Sequence, residues 1–118
     1  MSNGIPVPVW QSTRLIGRRV LMVLSNSESI GLSFEGDFHL VIWGPARLSA
    51  EGQPLGLESI DSLRGRVLME FVGNEREERM TFAGHPQFDL LVTVDVAECT
   101  GPEAMMLRGP DDLIVVWN

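Results

Sequence analysis

Apolar and polar residues alternate strictly in residues 29–35, and in residues 38–43 every second residue, Phe38, Leu40 and Ile42, continues the apolar face. Between them stands Gly36-Asp37, a pair that is typical of a tight hairpin turn. A period of two residues places every second side chain on the same face of a strand. The pattern therefore predicts two antiparallel strands that share a buried face.

These two strands belong to a longer segment, residues 17–42, which resembles residues 65–92. Both segments open with Gly-Arg and continue with Val-Leu-Met. A polar turn, an apolar-Ser/Thr-Phe-x-Gly sequence and a Phe-x-Leu-x-apolar sequence then follow in both, so that Phe34 aligns with Phe82 and Val20 with Val67. A shared order of turns and apolar positions is typical of a repeated supersecondary unit. We predict a duplicated antiparallel meander.

Other segments complete the predicted fold. In residues 18–25, apolar residues occupy odd-numbered and even-numbered positions alike. This pattern predicts a first strand that is buried on both faces. Ile60 and Leu63 predict one short helix within residues 55–64, which ends at Gly65 and connects the repeats. Further strands are expected at residues 46–50, 103–107 and 113–117, with a turn at residues 51–54.

About nine short strands separated by turns indicate an all-β fold, either a small barrel or a sandwich. With 118 residues there is room for a single domain, residues 1–118. Residues 1–13 contain two prolines and are expected to form an N-terminal arm.

Composition narrows the classes of function. The formal net charge is -7, which favours a basic protein partner and disfavours nucleic acid or an anionic membrane. All nine basic residues are arginine, so mechanisms that need a Schiff-base or phosphate-binding lysine are excluded.

The expected location is cytoplasmic. The single cysteine, Cys99, has no partner for an internal disulfide. The first residues lack a charged segment followed by an apolar one, and no apolar run is long enough for a membrane helix.

The residues that carry acid–base or metal chemistry are few. His39 lies within a predicted strand, and His85 lies in a Gly-His-Pro turn, where it is the better candidate for a general base. Asp95 and Glu98 are close in sequence but lack the spacing of a metal site, and Cys99 has no neighbour that would activate it. We therefore expect no catalytic residue, no metal and no cofactor.

Acidic residues gather at one predicted hairpin tip, where Glu75, Glu77 and Glu78 alternate with arginines. Such a tip either solvates a turn or provides a docking point for a basic partner. Trp43 is the fourth candidate for partner contact.

Four arginines flank the glycines that open the two repeats: Arg18, Arg19, Arg64 and Arg66. If the repeats are related by a pseudo-twofold axis, these arginines converge on an anion. The other interpretation is that their charges, placed where the strands start, prevent these strands from pairing with strands of other chains.

Two strands are apolar on both faces. Val41 and Trp43 oppose the buried residues of their strand, and Ile114 and Val116 oppose those of the last strand. Such faces need a second layer or a partner, and the chain has almost no helix to supply that layer. The pattern predicts a homodimer.

The segments LIGRRV, LSFEGDFHLVIWGPARL and GPEAMMLRGPDDLIVV together resemble an uncharacterised family of small β-rich bacterial proteins. Met105 and Asp112 depart from that pattern, which has an aromatic residue and a glycine at these positions. Some similar proteins look like toxin-immunity or accessory factors. The resemblance implies a bacterial accessory role and brings no active site.

The sequence favours a non-catalytic protein-interaction module, immunity-like or accessory in role. The alternative is a small-ligand-binding barrel with an interior pocket lined by Met and Phe side chains. A third hypothesis is a hydrolase that uses His85.

Overall fold

The computed structural model describes residues 13–73, 76–94 and 104–117. These residues form two 3₁₀ helices, Thr13–Leu15 and Leu57–Leu63, and ten strands. The strands are β1 (Val20–Ser25), β2 (Ile30–Phe34), β3 (Phe38–Ile42), β4 (Ala46–Ala50), β5 (Gln53–Leu55), β6 (Leu68–Gly73), β7 (Glu77–Phe82), β8 (Phe88–Thr93), β9 (Met105–Arg108) and β10 (Ile114–Trp117).

The strands form two antiparallel sheets of five strands each. Sheet one has the order β1-β2-β3-β9-β10, and sheet two has the order β5-β4-β8-β7-β6. They pack as a sandwich with barrel-like character, so the predicted all-β fold is confirmed. The predicted connecting helix is present as Leu57–Leu63, and it buries Ile60 and Leu63.

The alternating segments form strands because one face of each sheet enters a common core. In sheet one, Leu32, Leu40, Leu107 and Val115 lie in one inward row across four paired strands. Buried residues of both sheets and both helices form one apolar cluster. Its largest fully buried side chains include Phe34, Phe38, Phe71, Phe82 and Met80.

The starts of β1 and β6 cross and join the two sheets. Gly17 N–H donates to Leu68 O at 2.7 Å, and Gly65 N–H donates to Val20 O at 2.8 Å. Arg19 and Val67 pair at the centre of this crossing. Both glycines have positive φ angles of 88–89°, a backbone conformation that favours glycine, and each follows one of the 3₁₀ helices.

Strands β1–β3 form the first unit and strands β6–β8 form the second unit. The two units share their irregularities: the register shifts between Val20 and Met22 in β1 and between Leu68 and Glu70 in β6. Val20 and Leu68 make equivalent hydrogen bonds at the crossing, so they occupy corresponding positions in the two units. The alignment of the two sequence segments had instead paired Val20 with Val67. That the second unit repeats the first stays a prediction.

Two expectations about single strands were wrong. β1 is not buried on two faces: it is an edge strand, and Leu21, Met22 and Leu24 are exposed. The predicted turn at residues 51–54 is shorter, because β5 begins at Gln53 and pairs with β4. Pro54 is tolerated there since β5 is an edge strand.

Candidate interaction surface

The outward side of sheet one carries a row of apolar residues that crosses all five strands. Pairing of neighbouring strands aligns Leu24, Gly31, Val41, Met106 and Val116 in this row. Leu24 is 65% exposed, and the other four are half-buried.

The next outward row contains Met22, Ser33, His39, Arg108 and Ile114. Ile114 is 56% exposed and Met22 is also exposed. Neither row contains an acidic residue, although the chain has 16 of them. We call these two rows together the apolar face.

The outward side of sheet two is different in chemistry. Arg47 Nη2 lies 2.9 Å from Glu77 Oε2, and Arg79 Nη2 lies 3.7 Å from Glu70 Oε1. Thr81 Oγ1 donates to Asp89 at 2.8 Å on the same side. We call this surface the charged face. Hydrated, mutually paired charges make it a poor docking surface compared with the apolar face.

A cleft of about 280 Å³ opens at one end of sheet one. It lies between the β1–β2 turn, the corner between β3 and β4, and the start of the connecting helix. Trp43 and Leu57 line it, as do Asn26 and Glu28. Both large apolar side chains are substantially exposed, 38% for Trp43 and 39% for Leu57.

The structure separates the residues of the predicted acidic tip. Glu75 lies outside the described residues, and Glu77 faces outward and pairs with Arg47. Glu78 is in β7, faces inward and is only 9% exposed, so it offers almost no surface to a partner. The error arose because the tip was expected to extend to Glu78, whereas β7 already begins at Glu77.

Glu78 is a carboxyl group in an apolar environment. Burial raises its pKa from 4.5 to about 7, and a hydrogen bond from the Trp117 side chain lowers the pKa by a smaller amount. Trp117 itself stacks on Phe71, with ring centroids 5.8 Å apart. This hydrogen bond links sheet two to sheet one, because Trp117 belongs to β10 and Glu78 to β7.

Arg18 and Arg66 bind carbonyl groups of their own units. Arg18 donates to Arg14 O at 2.8 Å and to Glu35 O at 3.2 Å, and its guanidinium lies 4.4 Å from the centroid of the Phe38 ring. Each guanidinium therefore fastens a 3₁₀ helix to a hairpin.

Arg66 repeats this arrangement in the second unit. It donates to Ser62 O at 3.1 Å and, through Nη1, to Ala83 O at 3.1 Å and Pro86 O at 2.6 Å. Its guanidinium lies 4.0 Å from the centroid of the Phe88 ring. Arg18 and Arg66 thus contact two separate hairpins, and their convergence on a common anion stays a prediction.

The other two arginines of that group lie near the crossing. Arg19 Nη1 donates to Gly65 O at 3.3 Å, and the Arg64 side chain is exposed after the connecting helix. Arg19 thus also has a backbone carbonyl as a partner.

Both histidines are exposed on the surface. His85 is exposed in the β7–β8 turn. His39 Nδ1 is 3.0 Å from Ser33 Oγ, but this pair lies on the open apolar face, unlike the enclosed sites of nucleophilic enzymes. Asp95, Glu98 and Cys99 lie outside the described residues.

No group of three His, Cys, Asp or Glu side chains in the described part of the chain is arranged to hold a metal ion. None of the helices in residues 13–73, 76–94 and 104–117 is long and apolar enough to cross a membrane.

Sequence reasoning found Val41, Trp43, Ile114 and Val116 but missed Leu24 and Met106. The sequence of β1 does show apolar residues on both faces of the strand, but this pattern was interpreted as burial of both faces. The cleft had no sequence signal, because its walls are brought together from three separate segments.

Comparison with protein-family models, with curated proteins and with solved structures gives no match. The candidate surfaces therefore rest on the geometry and chemistry of this chain.

Proposed function

We propose that this protein is a non-catalytic protein-interaction module that pairs with a second copy of itself and binds a basic protein partner. The observation that supports pairing is the apolar row across all five strands of sheet one. Exposed apolar surface of this extent on one side of a sheet is typical of an interaction site.

Charge favours a second copy as the occupant of the apolar face. A chain with a net charge of -7 repels its copies, and a face without acidic residues is where they can approach. Five strands span about 24 Å, and strands of this length span about 15 Å. This footprint is below the ~800 Å² that each partner of a standard interface buries, so we expect a dimer with micromolar affinity.

Matched substitutions test the dimer. Leu24 and Val72 are each the fifth residue of their strands, β1 and β6, but Leu24 lies on the apolar face and Val72 on the side of the charged face. Leu24→Asp should weaken self-association at least about tenfold, because an exposed carboxylate must be desolvated in the interface. Val72→Asp should leave it unchanged.

Equilibrium sedimentation at tens of micromolar is the measurement. A wild-type protein that is only monomeric at these concentrations contradicts the dimer. Equal weakening by both substitutions contradicts the assignment of the apolar face.

The basic partner is supported by the net charge of the chain, since complementary charge accelerates and orients association. The resemblance to small bacterial proteins extends this to an immunity-like or accessory role in a bacterial toxin system, in the cytoplasm. Tagged protein should retain a stoichiometric basic polypeptide from native lysate at low salt and lose it at moderate salt. Retention of acidic polypeptides alone, or of none, contradicts this.

A small-ligand-binding protein is the second candidate. The Met and Phe side chains predicted to line an interior pocket include Met80, Phe34 and Phe82, which are packed in the core. The cleft at the end of sheet one favours this candidate, because its 280 Å³ is near the lower end of small-molecule sites. A small molecule that stabilises the protein but not its Trp43→Ala variant would support it.

A further inference from the structure

The cleft at the end of sheet one has one apolar wall and one polar wall. Trp43 and Leu57 supply large apolar surfaces, while residues 25–29 supply three serines, Asn26 and Glu28. Its volume of about 280 Å³ equals that of about nine water molecules, enough for one large side chain. The cleft therefore suits an elongated group that is apolar along its length and polar at its end.

The polar wall is held in place by its own hydrogen bonds. Asn26 Oδ1 accepts from Glu28 N–H at 2.7 Å and from Ser29 N–H at 2.9 Å. Asn26 N–H in turn donates to Ser29 O at 3.0 Å. The turn that carries Glu28 is thus ordered before a ligand arrives, which lowers the entropic cost of binding.

The apolar wall is fixed by the corner that follows β3. Trp43 N–H and Gly44 N–H both donate to Ala104 O, at 2.8 and 2.9 Å. A Cβ atom on Gly44 would come too close to Thr93 O, so this corner needs glycine. The backbone that positions the Trp43 ring is therefore anchored to Ala104, the residue before β9.

Among the described residues that line the cleft, Glu28 is the one that is ionisable. A carboxylate and an exposed indole ring in the same cleft attract a cation, because the carboxylate is negatively charged and the face of the ring has a negative electrostatic potential. Arginine fits this combination best, since its guanidinium is weakly hydrated, stacks on aromatic rings and pairs with carboxylates.

We propose that this cleft binds an arginine side chain of the protein partner. The proposal rests on the proposed function and adds the chemistry by which the partner is recognised. The stem of the arginine lies along Trp43 and Leu57, and its guanidinium pairs with Glu28. Trp43, predicted from the sequence as a contact, is then the anchor of the site.

Two tripeptides test this directly: acetyl-Ala-Arg-Ala-amide and the same peptide with citrulline, which has nearly the same shape but no charge. Nitrogen-15 NMR spectra of the protein should show shifts of the Trp43 indole and of the Glu28 and Gly44 amides with the arginine peptide. The citrulline peptide should give much smaller shifts. Equal shifts with both peptides, or shifts confined to other parts of the molecule, overturn the proposal.

Variants give the expected magnitudes. Trp43→Ala should weaken binding of the arginine peptide on the order of thirtyfold, as loss of a central aromatic anchor does. Glu28→Gln should weaken it about two- to fivefold, in line with an exposed ion pair. Glu51→Gln is the matched control, since it removes one exposed carboxylate outside the cleft and should have no effect. If Trp43→Ala fails to fold, Leu57→Ser replaces it, with a smaller loss expected.

The outcome separates this inference from the proposed function. If a basic protein is captured in a salt-sensitive manner but the arginine peptide leaves the cleft unperturbed, this inference is wrong and the interaction module stands. If the peptide perturbs the cleft and Glu51→Gln weakens binding as much as Glu28→Gln, general charge attraction is responsible and the inference is again wrong.

Discussion

The first unit, β1–β3, and the second unit, β6–β8, have closely matching backbones and different surfaces. Each contains a bulged first strand, a preceding 3₁₀ helix and an arginine that fastens this helix to a hairpin. The outward side is apolar in the first unit and charged in the second. Turns, glycines and buried residues thus specify the strands, while outward positions are free to take up different roles.

The units also differ at one inward position. Ile30 begins β2 and faces Ser25, and Glu78 lies in β7 and faces Gly73 at the corresponding place. An apolar side chain in one unit is therefore replaced by a carboxyl group in the other. The same backbone accommodates both, but only the carboxyl group makes the free energy of unfolding depend on pH.

The largest expected effect concerns this carboxyl group. The pKa of Glu78 is about 7 in the folded protein and 4.5 as the reference value, so the folded state holds an extra proton between these pH values. The stabilisation of the folded state by this bound proton is present in full below pH 4.5 and is lost as the pH rises through 7. The free energy of unfolding should fall by up to about 3 kcal/mol over this range.

Denaturant titrations at several pH values measure this slope. Glu78→Gln should remove it and leave a protein that is more stable than wild type at pH 8. The control is Glu77→Gln, which changes an exposed carboxylate next in sequence. An unchanged slope in Glu78→Gln would contradict the role of Glu78.

A smaller effect on the free energy of unfolding is expected from Arg18 and Arg66, the two arginines that connect a 3₁₀ helix to a hairpin. Arg66 makes three hydrogen bonds to carbonyls and lies closer to its aromatic ring than Arg18 does. We expect Arg66→Ala to lower the free energy of unfolding by about 2–3 kcal/mol and Arg18→Ala by about 1–2 kcal/mol. Arg64→Ala, an exposed position, should cost less than about 0.5 kcal/mol. An effect of Arg18→Ala that exceeds that of Arg66→Ala would contradict this order.

The smallest effect is expected on the charged face. Arg47→Ala breaks the shorter ion pair, with Glu77, and Arg79→Ala breaks the longer one, with Glu70. Since these side chains are exposed, each substitution should cost no more than about 1 kcal/mol, and less at high salt. Thermal unfolding at low and high salt would show this, and a cost that does not decrease with salt would indicate lost packing instead.

Much of the fold could be predicted from the sequence. Alternation in residues 29–35 identified β2, the inward face of Phe38, Leu40 and Ile42 identified β3, and the strand at residues 46–50 was placed correctly. Ile60 and Leu63 identified the connecting helix. These signals are local, since a period of two or a pair of apolar residues on one helix face needs no knowledge of the partner strand.

The parts that failed depend on contacts between distant segments. Whether the apolar residues of β1 are covered depends on the order of strands in the sheet, which the sequence of β1 does not contain. The inward direction of Glu78 depends on the residue at which β7 starts, and a shift of one residue reverses it. The cleft combines three segments, so only the folded chain brings Glu28, Trp43 and Leu57 together.

The crossing of β1 and β6 has a consequence for cooperativity. Gly17 and Gly65 each donate a backbone hydrogen bond to the strand of the other unit, and Val20 and Leu68 donate to Arg66 and Arg18 in return. Local opening of either first strand removes hydrogen-bond partners from the other unit. Fluctuations at the crossing are thus shared by both sheets, and these four amides should exchange their protons with solvent only when much of the molecule opens.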